Sequence, residues 1–184
     1  TLPSGMTQIG NYAFNGCTSL VSVKLPDSIS VLSKNLFEGC TSLTNIMLPK
    51  NITTIGSCCF NQCKSLTKIE IPSKVKTIEY NAFSGCTSLA EVKLPDGLKT
   101  IGSSAFSGCK ALDTIKIPNT VSLIDSTAFS SCTALKNVTL SSSLKTLGSS
   151  AFSGCISLQK IVLPDGLTEL GSAFSECDHL KYIY

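Results

Sequence analysis

Ten cysteines and a single histidine carry the widest chemical options in this 184-residue chain. Cysteine can serve as a disulfide partner, a zinc ligand or, once ionised, a nucleophile. Eight of the ten, Cys17, Cys40, Cys63, Cys86, Cys109, Cys132, Cys155 and Cys177, recur every 23 residues, the last after 22. Zinc knuckles place their paired ligands only about two to four residues apart, so this spacing does not build one. Cys58, Cys59 and Cys63 make the one dense cluster, CCFNQC, and no histidine or carboxylate stands near it to complete a metal or redox site. His179 follows Cys177 and Asp178, but neighbouring side chains on a turn diverge, so it reads as a surface histidine rather than half of a Cys–His dyad. The carboxylates are scattered, and the patterns of serine hydrolases, zinc proteases, phosphate loops and calcium loops are missing. The chain is therefore read as a non-enzyme with no catalytic residues, no metal and no cofactor.

Composition narrows the partners. At 42% hydrophobic and 15% charged residues the chain can bury a sizeable core. All 15 basic residues are lysine and the net charge is only +3. Without the planar arginine fork that reads phosphates and base edges, nucleic acid is not expected as a partner. Apolar runs fall far short of the roughly 20 residues needed to cross a bilayer, so no membrane insertion is expected within this stretch.

What must position these residues is a repeat. Leu2, Leu25, Leu48, Ile71, Leu94, Ile117, Leu140 and Leu163 are spaced by 23, and proline follows seven of them, with Ser141 as the exception. All eight phenylalanines share one register, from Phe14 to Phe174. Residues 1–184 thus read as a single array of eight units, the last with 22 residues. Within one unit, Leu112, Ile115 and Ile117 alternate with Thr114 and Lys116, the period-two mark of a strand with one face buried. Proline ends that strand, because it cannot donate to a ladder. A second extended piece runs from Leu98 to Ile101, and SSAFSGC is read as a turn of helix at most. No unit can bury its apolar side alone, so stability comes from stacking. Stacked strands sit about 4.8 Å apart, close enough for a disulfide between equivalent cysteines, so orientation decides their state. The preferred reading is a column of buried free thiols acting as small apolar groups, with Cys59 inward and Cys58 outward as the candidate exposed thiol.

The phrase LxxVxLPxxLxxIGxxAFxGCxxL, running from Leu89 to Leu112, resembles the BspA-like, or Treponema pallidum-type, leucine-rich repeat, and the resemblance covers essentially the whole chain. Leu36 and Cys59 replace the alanine before phenylalanine, and Ser141 replaces proline. The resemblance implies an α/β repeat solenoid, a curved right-handed superhelix with a parallel sheet on one side and short helical turns. It also implies a secreted or cell-surface protein that binds rather than catalyses, as adhesins do. Neither end of the array has a recognisable polar cap, so a fragment of a longer protein is expected.

The residues flanking the inward one on each main strand vary from unit to unit. Lys68, Glu70, Glu91, Lys93, Thr114, Lys116 and Asn137 make a mixed polar patch, and Tyr182 and Tyr184 an aromatic end, so these nine are the candidate ligand-binding residues. The partner class is protein or glycan at a cell surface. The alternative is a structural spacer that presents another domain. Asn51 and Asn137 stand in formal glycosylation sequons, meaningful only in a host that glycosylates the chain.

Overall fold

The computed structural model describes residues 2–184. Thirteen short strands follow one another: β1 (Val31–Leu32), β2 (Thr54–Ile55), β3 (Lys68–Glu70), β4 (Thr77–Ile78), β5 (Glu91–Lys93), β6 (Thr100–Ile101), β7 (Thr114–Lys116), β8 (Leu123–Ile124), β9 (Asn137–Thr139), β10 (Thr146–Leu147), β11 (Lys160–Ile161), β12 (Glu169–Leu170) and β13 (Tyr182–Ile183). Every pairing is parallel and in the register of the repeat, so that Lys68 lies against Glu91 and Thr100 against Leu123. The chain therefore winds as a solenoid, each coil adding one rung to the ladders.

The face read from the sequence as the sheet is laddered in pairs, β3 with β5, β7 with β9 and β11 with β13. The uninterrupted sheet is instead made by the second extended piece, seven strands in the order β1, β2, β4, β6, β8, β10, β12. Most strands set one buried or half-buried residue beside more exposed ones, as in the exposed, buried, exposed sequence of Thr114, Ile115 and Lys116, whereas β12 and β13 at the last coil are exposed throughout. Inward residues of one coil, Leu98, Ile101, Ala105, Phe106, Cys109 and Leu112, are fully buried and pack on their equivalents in the coils above and below. Stability of such an array is close to a sum of nearest-neighbour interfaces.

The third side corrects the expected helical turn and, with it, the α/β description: no helix occurs among the described residues. Ser104 and Gly108 have φ of 55° and 71°, left-handed values that a helix cannot accommodate. The backbone therefore alternates its hydrogen bonds. Ala105, Ser107 and Cys109 donate within their own coil to Gly102, Ser104 and Phe106, at 3.1 to 3.2 Å. Ser104, Phe106 and Gly108 donate to Ser126, Ala128 and Ser130 of the next coil, at 3.0, 2.8 and 2.7 Å. The segment is thus a chain of tight turns and a third inter-coil ladder. Gly102 is needed because a Cβ there would lie 2.7 Å from the Ile78 carbonyl oxygen. No helix among the described residues is long and apolar enough to cross a membrane.

The proline turn repeats with the same bond, Leu98 and Val121 donating to the carbonyls of Pro95 and Pro118 at 3.0 Å. Ser141 keeps it, with Leu144 donating to the Ser141 carbonyl at 3.2 Å, and its buried hydroxyl accepts from the Ser143 amide at 3.1 Å. Since equivalent coils need no amide proton there, Ser141→Pro should raise stability by about 0.5–1 kcal/mol through the stiffer unfolded chain. A thermal melt of the variant checks this, and a lower melting temperature would show that the hydroxyl bond outweighs the gain.

Candidate functional site

The residues with chemical potential are laid out first by the turn side. The phenylalanines form one column of near-parallel rings, Phe14 to Phe174, with centroids 5.2 Å apart at the tightest steps and 5.9 Å at the last. Beside it runs the cysteine ladder, and every cysteine in the chain is a free thiol. From Cys40 to Cys177 each ladder thiol donates to the phenylalanine carbonyl of the coil before, Cys63 to Phe37 at 3.1 Å, Cys109 to Phe83 at 3.3 Å and Cys155 to Phe129 at 3.2 Å. The sulfur is thereby a small apolar group with its one proton satisfied. Burial raises the thiols of Cys86 and Cys155 to about 12, the hydrogen bond offsetting only part of that rise. Thiolate chemistry is therefore suppressed along the buried ladder.

Two expectations about the cysteines need correction. The ladder is buried from Cys40 to Cys155, but Cys17 is exposed and Cys177 half-buried, because packing on only one side leaves them open. Cys58 is half-buried rather than fully outward, held at φ 58° with Asn35 and Asn81 against its sulfur, and burial followed by the nearby Glu38 raises its thiol. Cys59 is fully buried as expected. Cys177 gives its proton to the Phe152 carbonyl at 3.1 Å, and His179 Nδ1 donates to the Ile156 carbonyl at 2.6 Å, so the two do not form a dyad.

All nine candidate binding residues lie exposed on the face carrying β3, β5, β7, β9, β11 and β13. The register places Lys68 opposite Glu91, Glu70 opposite Lys93, and Thr114 opposite Asn137. Of these facing charges one pair closes, Lys93 Nζ to Glu70 Oε1 at 2.6 Å, the one ion pair among the described residues. That hydrogen bond, with the carboxylate charge behind it, raises the Lys93 ammonium above its ordinary value. Both partners are 70% exposed, so water screens the pair and it contributes little to stability. Asn137 Nδ2 donates weakly to Thr114 Oγ1 at 3.5 Å. Lys116 has no carboxylate within ion-pair distance and faces Thr139. The rings of Tyr182 and Tyr184 stack on one another at 6.1 Å and 17°.

Three features of this face were not singled out from the sequence. Met47 and Val162 are 86% and 60% exposed and bring aliphatic surface to a row that also holds Glu70, Lys93 and Lys116. Beside Lys116 and Thr139 a crevice of about 380 Å³ opens, lined also by Asp96, Ile117, Pro118 and Asn119. Its sequence signal is the recurring turn after each proline, which sets Asp96 and Asn119 in one column 23 residues apart.

A parallel-stranded solenoid with a stacked phenylalanine spine and a variable strand face is a leucine-rich-repeat array. The chain belongs to the family described as BspA type Leucine rich repeat region, which matches residues 1–113 and 53–181 in six copies. Arrays of this family are generally non-enzymatic binding modules. The fold is similar to that of a leucine-rich repeat protein from Bacteroides ovatus, with 32% identity and a TM-score of 0.89 over 99% of this chain and 53% of that one. It is likewise similar to the T. pallidum leucine rich repeat protein, with 34% identity, a TM-score of 0.79, and 85% and 76% of the two chains covered. A leucine-rich repeat protein from Eubacterium ventriosum shares 26% identity at a TM-score of 0.70, over 88% of this chain and 44% of that one. The chain thus spans about half the length of the Bacteroides ovatus protein. No curated protein sequence matches it.

Proposed function

We propose that this array is a binding module of a secreted or cell-surface protein, contacting host or neighbouring-cell molecules through the face of β3, β5, β7, β9, β11 and β13. The observation that carries the reading is the division of labour within each strand. On β3, β5 and β7 the inward residue is an aliphatic that belongs to the core or packs against it, Ile69, Val92 or Ile115, while its outward neighbours change in charge, size and polarity. Rigid backbone with exchangeable side chains is what a recognition surface needs, since little ordering entropy remains to be lost on binding.

The test is to immobilise the chain and measure capture of matrix proteins and mucin by surface plasmon resonance, beside a variant with Lys93→Glu and Lys116→Glu. Loss of at least about tenfold in affinity, equivalent to about 1.4 kcal/mol, with an unchanged melting temperature is the expected result. Capture that these changes leave untouched would remove the central strands β5 and β7 from recognition. No capture by the parent chain would favour a spacer that presents another domain.

A further inference from the structure

The binding face is chemically divided, and its two halves ask for different ligands. On β3 and β5 the outward charges are of both signs, two lysines and two glutamates, and Lys93 closes on Glu70. Towards β13 this changes. The outward positions Asn137, Thr139, Lys160, Val162, Tyr182 and Tyr184 include no carboxylate. Lys160 is exposed, lies in register with Tyr182, and has no ion-pair partner among the described residues. Lys181, also exposed, stands at the rim beside it. Tyr182 and Tyr184 expose 55% and 68% of their surface although they sit on a tied backbone, where Tyr184 donates to the Ile161 carbonyl at 3.0 Å and accepts from the Leu163 amide at 2.7 Å.

We infer that this end of the face, built from Tyr182, Tyr184, Lys160 and Asn137, binds an acidic saccharide, a pyranose unit bearing a carboxylate or a sulfate. The inference rests on the reading of this face as the recognition surface and names its ligand class. A pyranose ring presents a patch of polarised C–H groups on one side, which the electron-rich face of a tyrosine attracts, while its hydroxyls lie around the rim. Asn137 offers both a donor and an acceptor to those hydroxyls, and its present bond to Thr114 is long enough to exchange. Lys160 and Lys181 supply the charge complement for an anionic substituent. The stacked geometry of the tyrosines, at 6.1 Å and 17°, means that their rotamers are ordered before the ligand arrives. An acidic peptide would be served by the lysines alone and would leave the paired rings without a role.

The experiment is calorimetric titration of the whole chain with 3′-sialyllactose and with a heparin-derived tetrasaccharide, beside lactose and poly-L-glutamate. Binding of at least one of the two acidic oligosaccharides, with lactose weaker by about tenfold or more, is expected. Tyr184→Ala and Lys160→Glu should each weaken that binding by about tenfold, whereas Lys110→Glu, at an exposed position on the turn side, leaves it unchanged. All three side chains are exposed, so the melting temperature should not move, and a melt of each variant controls for it. The sialylated and sulfated arms separate the two sources of negative charge. Neither acidic oligosaccharide binding, binding that survives both substitutions, or poly-L-glutamate binding as tightly as the sugars would overturn the inference. A chain that ignores these sugars yet captures a protein through Lys116 would overturn it while leaving the broader binding role intact.

Discussion

Replacing Phe106 by alanine should destabilise the chain by about 3–5 kcal/mol, the range for truncating a fully buried aromatic side chain. The ring is fully buried and stacked on both sides, 5.2 Å from Phe83 and 5.3 Å from Phe129. The cavity left behind cannot collapse easily, because the amides of Phe83 and Phe106 are bonded to the Ala105 and Ala128 carbonyls at 2.8 Å and hold the coils at a fixed spacing. Two nearest-neighbour interfaces lose contact at once, which is why a central coil is the sensitive one. Phe14 is only partly buried and stacks on a single ring, so Phe14→Ala should cost roughly half as much or less. Denaturant melts of the two variants beside the parent chain measure the difference. Equal losses would show that the ring column contributes no more at its centre than at its end.

Alkaline pH should unfold the array through its buried thiols. Burial lifts Cys86 and Cys155 from 9.0 to about 12, while in the unfolded chain they ionise at the ordinary value. Between these limits the folded state holds protons that the unfolded state has released, so stability is fully present below pH 9 and falls as the pH rises towards 12. Three pH units correspond to roughly 4 kcal/mol per thiol at the top of that window. A Cys86→Ala, Cys155→Ala variant loses two thiol hydrogen bonds and some packing at neutral pH, yet its stability should decline less steeply above pH 9. Lysine titration is common to both chains and cancels in the comparison. Superimposable pH profiles from circular dichroism would mean that the thiols are not the titrating groups.

Much of this arrangement was legible in the residues. The 23-residue spacing of Phe and Cys places equivalent side chains one above another, because an apolar residue that recurs at a fixed period can be buried only against its own counterpart. The alternation of Thr114, Ile115 and Lys116 fixes which side chains face water, since a strand turns successive residues to opposite faces. For the same reason Lys68, Glu70, Glu91, Lys93, Asn137, Tyr182 and Tyr184 could be assigned to one exposed face before any coordinates.

The turn side was not legible in that way. Local spacing in SSAFSGC suits a helical turn, yet the amides of Ser104, Phe106 and Gly108 find better-placed acceptors on the next coil, and that option exists only when a next coil is in position. The same holds for the continuous sheet. Two-residue strands such as Thr100–Ile101 carry too little local signal to be ranked above the longer ones, and it is stacking that joins seven of them. Charge pairing was also a tertiary matter: register brings both Lys68 to Glu91 and Lys93 to Glu70, but side-chain reach closes only the second. The repeat, the inward set and the exposed face were thus determined by periodicity within the chain. The fate of the backbone amides, the hydrogen bonds of the thiols and the closing of the one ion pair were decided by contacts between coils, because a hydrogen bond or an ion pair depends on where the neighbouring coil puts its partner.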